Sequence, residues 1–254
     1  MKMLDIARHG HVLLLTLDRP AKRNSLHPEL IRQLSDALTG AHSDPETRVV
    51  VVTGAGASFC AGLDLDHLLE LDAEGRVEYM RSAFALFRRV HDLRQPVLAA
   101  VNGPAIAGGF DLAAFCDLRF CSPDALFGQT EILLGLTQIL YPLYKIIGLS
   151  HARYLAMTGT TIDAEEAFRI GLVNRIFPAG ELLDETLQIA KTLAARPPRA
   201  LFDTKQLSRQ LIESDTDTAF AQMLETITSR LRSPEHREAL GAYREQLRHK
   251  PKTE

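Results

Sequence analysis

Two glycine turns in this chain have the residue types and the positions to stabilise a carbonyl oxygen as it becomes negative. The turns are Ala61-Gly62-Leu63 and Ala107-Gly108-Gly109, and they follow apolar runs at 49–52 and 97–101. If both runs are parallel strands, both turns lie at the same edge of the sheet, where ligands bind in α/β folds. One backbone N–H from each turn can then donate to a single oxygen, which is the geometry of an oxyanion hole.

Two carboxylates, Asp111 and Glu131, bracket the second turn. Asp111 lies in the first turn of a short apolar helix expected at 110–115, and Glu131 follows the next pair of strands. The residues around them are largely apolar, and a carboxylate beside apolar surface can be tuned for proton transfer. The structural alternative is that Asp111 only complements a helix dipole and that Glu131 only begins a helix.

Other kinds of site are disfavoured by spacing. Thr53-Gly54-Ala55-Gly56 resembles a dinucleotide fingerprint, but Phe59 occupies the place of the third small residue. No Gly-Lys-Ser/Thr phosphate loop is present, and Ser58 lacks the flanking residues of a nucleophile elbow. The nine histidines do not cluster with Cys or carboxylates at ligand spacing, so we expect no metal site.

The composition is that of an ordinary globular protein. The 254 residues are 46% hydrophobic and 24% charged, which allows one large domain or a core with a smaller appendage. No apolar run approaches the roughly 20 residues of a membrane span. Charged residues surround the short apolar run at 12–17, which favours a first strand over a signal peptide. A net charge of −3 argues against nucleic acid as a partner. The three cysteines include no C-x-x-C pair, which indicates buried thiols and a cytoplasmic protein.

The order of the elements predicts an α/β core followed by helices. Apolar runs indicate buried strands at 12–17, 49–52, 97–101 and 118–121, with a late strand at 173–177. Helical periodicity begins at Pro28 and again at Ala73. Beyond Pro178 the pattern is almost entirely helical, with helices expected at 182–196, 198–211, 216–231 and 233–248.

An ordered set of motifs makes the chain resemble the crotonase superfamily, also called the enoyl-CoA hydratase/isomerase family. The motifs are LDRPAKRNSL at 17–26, SFCAGLDL at 58–65, AAVNGPAIAGGFDLAAFCDLRF at 99–120, FGQTEILLG at 127–135 and MTGTTIDAEEAFRIGLVNRIF at 157–177, with a weaker match, EALGAYREQ, near the end. Each motif alone is weak, but the ordered set covers nearly the full length and is highly specific.

The resemblance implies a fold and a site. The fold is an α/β spiral of repeated ββα units at 1–195, followed by a C-terminal helical trimerisation region at 196–254. The substrate would be an acyl-CoA thioester, so that coenzyme A enters with the substrate and no separate cofactor is needed, and the chain would form a homotrimer or homohexamer. The amides of Leu63 and Gly108 would stabilise an enolate, with Asp111 and Glu131 as the catalytic carboxylates.

The resemblance also implies where coenzyme A binds. The contacts of the family to adenine and pantetheine map to Ala61, Gly62, Leu63, Asp64 and Leu65. The basic pair Lys22 and Arg23 would bind the phosphates.

Two departures from the family pattern bear on activity. Asp111 stands where the hydratases carry a glutamate, so it is one methylene shorter and would hold a water differently. Bulky residues at 136–142 replace a glycine-rich stretch and should reshape the acyl pocket.

The preferred hypothesis is that the protein catalyses the hydration of a 2-enoyl-CoA in fatty acid metabolism. Double-bond isomerisation by Glu131 alone and a non-catalytic binding protein are the alternatives; a hydrolase or dehalogenase of the same fold would release free CoA or halide. Equal losses in Glu131→Gln and Asp111→Asn would favour hydration, whereas a much larger loss at Glu131 would favour isomerisation.

Overall fold

The computed structural model describes residues 2–212 and 214–249, with side chains described up to residue 245. Contacts divide the chain into two compact units, one ending at Thr192 and the other beginning at Leu193. In chain order the first unit contains β1 (Leu4–His9), β2 (Val12–Leu17), α1 (Pro28–Ser43), β3 (Val49–Gly54), α2 (Leu65–Glu70), α3 (Ala73–Asp92), β4 (Val97–Val101), β5 (Ala105–Ile106), α4 (Gly108–Phe115), β6 (Leu118–Cys121), β7 (Leu126–Gly128), α5 (Leu143–Thr158), β8 (Thr161–Asp163), α6 (Ala164–Arg169) and β9 (Arg175–Ile176). Short 3₁₀ turns lie at Pro20–Lys22 and Glu131–Leu134.

The main sheet has six strands in the order β1-β2-β3-β4-β6-β9. β1 pairs antiparallel with β2, and the other neighbours are parallel. Every residue of β3 and β4 is buried, as expected of central parallel strands covered on both faces. The parallel register of β3 and β4 confirms that the turns that follow them leave the sheet at the same edge.

Helices α1 and α3 pack against each other, and each buries one apolar face in the hydrophobic core. In α1 the buried positions are Leu30, Ile31, Leu34 and Leu38, at helical spacing. The side chains of His27 and Asp72 accept backbone hydrogen bonds at the first turns of α1 and α3. The three cysteines are free and buried, as the composition predicted.

Several short strands were not predicted from the sequence. β1 is mostly exposed and has no apolar run, whereas β5, β7 and β8 have two or three residues each and form a second sheet in the order β5-β7-β8. The strand predicted at 173–177 is limited to β9, Arg175–Ile176. This second sheet matters for the site, because β5 and β7 lie on either side of α4 in sequence and pair with each other.

α7 (Leu182–Ala194) leads into the second unit, which contains α8 (Pro198–Leu211), α9 (Thr216–Leu231) and α10 (Pro234–His249). Four apolar side chains at spacings of four, three and four make one exposed stripe on α9: Phe220, Leu224, Ile227 and Leu231. No described helix is long and apolar enough to cross a membrane.

Candidate active site

The first glycine turn holds the Leu63 N–H in a fixed direction. The preceding carbonyl, that of Gly62, accepts a hydrogen bond of 2.7 Å from the Leu26 N–H. In a trans peptide the C=O and the N–H point in opposite directions, so the Leu63 N–H points away from Leu26. Among the described residues it has no protein acceptor. The turn needs glycine because Gly62 has φ of +85°.

The second turn presents the Gly108 N–H in the same manner. The Ala107 C=O accepts from the Asp111 N–H at 3.0 Å, which leaves the Gly108 N–H at the start of α4 without an acceptor in the described chain. Ala107 itself has φ of 52° and ψ of −129°, a backbone conformation that residues other than glycine rarely adopt. It is held there by its own N–H, which donates to the Gly128 C=O on β7 at 2.7 Å. Strain of this kind concentrates at functional sites.

The two turns lie in direct contact. A Cβ atom placed on Gly62 would lie 2.9 Å from the Gly108 nitrogen, and one placed on Gly109 would lie 2.0 Å from the Cys60 carbonyl oxygen. The Ile106 N–H donates to that same Cys60 oxygen at 2.9 Å. The backbones therefore approach more closely than side chains would allow, and the structure brings the Leu63 and Gly108 amides together as the sequence predicted.

Tyr79 gives the first turn a second support. The Asp64 N–H donates to the Tyr79 hydroxyl at 2.9 Å, and that hydroxyl donates to the Leu26 carbonyl. Burial raises the pKa of Tyr79 to about 12, so the phenol stays protonated and can donate. Leu26 thus holds both sides of Leu63, directly through Gly62 and through the phenol at Asp64.

A cavity of about 380 Å³ opens beside the two amides. Its wall includes Leu63 and Gly108, both carboxylates, and apolar side chains from α2, α3 and the segment 134–139. A space of this size, largely apolar with a few polar groups at one place, is typical of a small-molecule site.

Asp111 is 2% exposed, and its two oxygens differ in their surroundings. Oδ1 accepts from the Gln129 side-chain amide at 3.1 Å, whereas Oδ2 is buried and has no described hydrogen-bond partner. Burial raises the pKa of Asp111 well above 3.8, and the charge of Glu131 raises it further; the Gln129 hydrogen bond acts in the opposite direction.

Glu131 is half-buried at the start of the 3₁₀ turn Glu131–Leu134. Its Oε2 is also buried without a described hydrogen-bond partner. Burial raises the pKa of Glu131 above 4.5, and hydrogen bonds from its own N–H and from Gln138 oppose that rise. Asp111 is the more deeply buried of the two, and the charge of ionised Glu131 raises its pKa further, so Asp111 keeps its proton to higher pH. Two carboxyl groups with separated pKa values can act as base and acid.

The residues predicted to bind coenzyme A fall into two groups. Ala61, Leu63 and Leu65 line the cavity, and Gly62, in the first turn, lies against the second turn at Ala107 and Gly108. The Asp64 carboxylate does not face the cavity: it is buried, accepts from Arg19 at 2.9 Å and Ser25 at 3.2 Å, and caps α2. Burial alone would raise the pKa of Asp64, but these hydrogen bonds and the charge of Arg19 hold it below 3.8.

The predicted phosphate-binding pair is exposed. The Lys22 amine pairs with Asp66 at 2.8 Å, both side chains being more than half exposed. Arg23 is exposed, and its carbonyl accepts from the Ala61 N–H at 3.0 Å, which ties this loop to the first turn.

Sequence reasoning missed three residues that shape the site, namely Arg19, Tyr79 and Gln129. Arg19 and Gln129 lie within the quoted motifs, at LDRP and FGQTE, and could have been found as polar residues in runs that must be buried. Tyr79 carries no such signal, because its spacing on α3 is that of an ordinary buried residue on the apolar face of the helix. Among the described residues, no group of His, Cys, Asp and Glu could hold a metal ion.

Several known proteins with similar sequences are named as hydratases of CoA thioesters. The chain is 41% identical to a putative enoyl-CoA hydratase of Thermus thermophilus over 78% of this chain and 80% of that protein. It is 33% identical to the short-chain-enoyl-CoA hydratase of Clostridium acetobutylicum, covering 94% and 93%. It is 35% identical to the 2,3-dehydroadipyl-CoA hydratase of Escherichia coli, covering 96% of each chain.

A structural superposition and a family match over nearly the whole sequence also place the chain among the enoyl-CoA hydratases and isomerases. A solved enoyl-CoA hydratase of Bacillus anthracis superposes with a TM-score of 0.94 at 30% identity, covering 96% of this chain and 97% of that one. This confirms the crotonase-like α/β fold that the motifs implied. The profile of the family described as enoyl-CoA hydratase/isomerase matches residues 7–252. The chain therefore belongs to the enoyl-CoA hydratase/isomerase family of the crotonase superfamily and is an enzyme of the hydratase/isomerase type.

Proposed function

We propose that this enzyme hydrates a 2-enoyl-CoA. The observation that carries the proposal is the convergence, on one cavity, of two amides that have no acceptor in the described part of the chain and of two carboxyl groups whose pKa values are raised and separated. The names of the similar proteins from Clostridium acetobutylicum and Escherichia coli, both hydratases, support the same reaction.

In this proposal the thioester oxygen accepts hydrogen bonds from the Leu63 and Gly108 N–H groups. Addition of water at C3 moves the electrons of the C2–C3 double bond toward the carbonyl, and the two amides stabilise the resulting enolate oxygen. The water loses a proton to ionised Glu131, and C2 receives a proton from Asp111 as the carbonyl re-forms. Proton exchange between the two carboxyl groups and solvent then restores the starting state.

Ala61, Gly62, Leu63, Asp64 and Leu65 are proposed to follow the pantetheine and adenine of coenzyme A, with the contact of Asp64 limited to its backbone. Lys22 and Arg23 are proposed to bind the phosphates. For Lys22 this requires exchange of its surface pair with Asp66, which costs little because solvent screens an ion pair whose two side chains are both exposed. Coenzyme A enters as part of the substrate.

The direct test is hydration of crotonyl-CoA, followed by the loss of near-ultraviolet absorbance of the conjugated thioester. We expect turnover by the wild type and losses of roughly 100- to 10,000-fold in both Glu131→Gln and Asp111→Asn. Glu74→Gln is the matched control, because Glu74 is exposed on α3 and away from the cavity.

Two other outcomes would change the assignment. A large loss in Glu131→Gln with near-normal activity in Asp111→Asn would indicate isomerisation by Glu131 alone. If crotonyl-CoA and a 3-enoyl-CoA stay unchanged and calorimetry detects no binding of CoA esters, the proposal is wrong.

A further inference from the structure

The far wall of the cavity consists of apolar side chains. Beyond the amides and carboxylates most of the lining comes from α2, α3 and the segment 134–139, in which Thr137 is the one polar residue described; Thr130, next to Glu131, is a further polar residue of the lining. The apolar residues of this wall are Leu68, Met80, Ala83, Phe84, Phe87, Leu134, Leu136 and Ile139.

Several of these side chains are exposed although they are large and apolar. Leu134 is 57% exposed, Phe84 49% and Leu136 39%. When a ligand covers apolar surface around a cavity and removes it from water, binding is stabilised by roughly 25 cal/mol per Å² of that surface. This part of the cavity therefore favours a ligand group that is itself apolar.

The charge of the cavity points to the same conclusion. Asp111 and Glu131 are the ionisable residues among its described lining, which includes no lysine, arginine or histidine. Each already has a buried oxygen without a described partner. A carboxylate at the end of an acyl chain would find no cation in this lining and would be repelled by Glu131.

We propose that the enzyme selects uncharged aliphatic acyl chains longer than the four carbons of crotonyl-CoA and discriminates against acyl chains that end in a carboxylate. This inference rests on the proposed function, because it places the acyl chain of that substrate against α2, α3 and the segment 134–139. Neither the family nor the reaction settles this choice, since a terminal carboxylate lies far from the double bond.

The sharpest comparison uses two six-carbon substrates that differ only at the end of the chain. 2-Hexenoyl-CoA ends in a methyl group, and 2,3-dehydroadipyl-CoA ends in a carboxylate. We expect kcat/KM to rise about fourfold for each methylene added between crotonyl-CoA and 2-hexenoyl-CoA. For 2,3-dehydroadipyl-CoA we expect a kcat/KM on the order of 100-fold below that of 2-hexenoyl-CoA, because an unpaired charge is costly to desolvate. If the kcat/KM values for 2-hexenoyl-CoA and 2,3-dehydroadipyl-CoA differ by less than threefold, the proposal is wrong.

A charge-introducing variant tests whether this wall makes the selection. Phe84→Arg places a cation on α3 at the cavity wall, and we expect it to raise the ratio of kcat/KM for 2,3-dehydroadipyl-CoA over 2-hexenoyl-CoA at least tenfold. Val77→Arg is the matched control: Val77 is 46% exposed on the same helix and is absent from the cavity lining, so the ratio should stay at its wild-type value. Equal ratios in the two variants would contradict the proposed position of the acyl chain.

Binding of saturated thioesters separates this inference from the proposed reaction. Hexanoyl-CoA and adipyl-CoA cannot be hydrated, and their affinities can be measured by calorimetry. If turnover fails but hexanoyl-CoA binds at least tenfold more tightly than adipyl-CoA, the reaction is wrong and the selection stands. Equal affinities, with or without turnover, would refute the selection.

Discussion

At the scale of single residues, the burial of the Asp111 carboxyl group lowers the stability of the folded chain and raises the pKa that proton transfer requires. Its carboxyl group is buried beside Glu131, with one hydrogen bond from Gln129 and one oxygen without a described partner. A buried acid with a raised pKa favours the protonated form in the folded state, so folding becomes less favourable as the pH rises above the ordinary pKa of 3.8. This destabilisation grows until the pH reaches the raised pKa of the folded state.

We therefore expect Asp111→Asn to be more stable than the wild type at pH 7, with a melting temperature higher by roughly 2–4 °C for each kcal/mol gained. Near pH 3 the difference should shrink, because Asp111 is then largely protonated in both folded and unfolded chains. Thermal unfolding at the two pH values measures this. A variant that is less stable than the wild type at pH 7 would show that the charge of Asp111 is better compensated than its contacts indicate.

The order in which the two carboxyl groups ionise predicts a bell-shaped pH profile for kcat/KM. As the pH falls, activity declines when Glu131 gains a proton, and this limb should lie above the ordinary value of 4.5 because burial raises the pKa. As the pH rises, activity declines when Asp111 loses its proton. Hydration of crotonyl-CoA over the stable pH range provides the measurement, and an acidic limb at or below 4.5 would contradict the assignment of Glu131 as base.

Tyr79 is expected to position the Leu63 amide without touching the substrate. Tyr79→Phe removes the bridge between the Leu26 carbonyl and the Asp64 N–H but keeps the ring. We expect kcat to fall about tenfold with little change in KM, because a misdirected oxyanion donor weakens stabilisation of the transition state more than binding of the substrate. Tyr154→Phe is the control, since Tyr154 is 60% exposed. Equal effects on kcat and on thermal stability in both variants would argue against this role.

At the scale of elements, the site depends on the close approach of two turns that follow parallel neighbouring strands. β3 and β4 end at the same edge of the sheet, and β5 pairs with β7 to hold Ala107 in its strained conformation. Glycine at position 62 is required for two separate reasons, its positive φ and the short distance to the Gly108 nitrogen.

A matched pair of glycine variants separates these two reasons. Gly62→Ala introduces both an unfavourable φ and a steric clash at the oxyanion hole, and we expect kcat to fall at least about 100-fold, as when one donor is lost. Gly10→Ala introduces a similar φ, +62° in place of +85°, but nothing lies within 4 Å of the added Cβ. It should lower stability by roughly 1 kcal/mol and leave kcat unchanged. Comparable kcat values for the two variants would contradict the proposed oxyanion hole.

At the scale of the whole molecule, the exposed stripe on α9 bears on assembly. Phe220, Leu224, Ile227 and Leu231 are each more than half exposed, and a contiguous apolar surface of this kind is typical of an interface. A homotrimer or homohexamer remains the prediction that the family resemblance makes.

Sedimentation equilibrium tests this prediction. We expect the mass of three or six chains for the wild type and a smaller mass for the double variant Phe220→Glu, Leu224→Glu. Ala221→Glu, exposed on the same helix, should keep the wild-type mass. A monomeric wild type would refute the prediction, and an unchanged mass in the double variant would place the interface elsewhere.

The sequence by itself determined the elements that have strong local signals. The runs at 49–52 and 97–101 became β3 and β4, and helical spacing placed α1 and α3 correctly. The ordered motifs also identified the residues of the turns and both carboxylates. Local patterns failed for β1, which has no apolar run, and for β5, β7 and β8, which are too short to show a period.

Tertiary structure alone decided which groups at the site are available. The Leu63 N–H has no acceptor among the described residues because Leu26, distant in sequence, holds the opposite side of the same peptide. Asp64 turns inward because Arg19 and Ser25 reach it, whereas Asp111 lies deeper than Glu131 and so keeps its proton longer. Hydrogen-bond direction and burial depend on contacts between remote segments, and a linear pattern of residue types does not contain them.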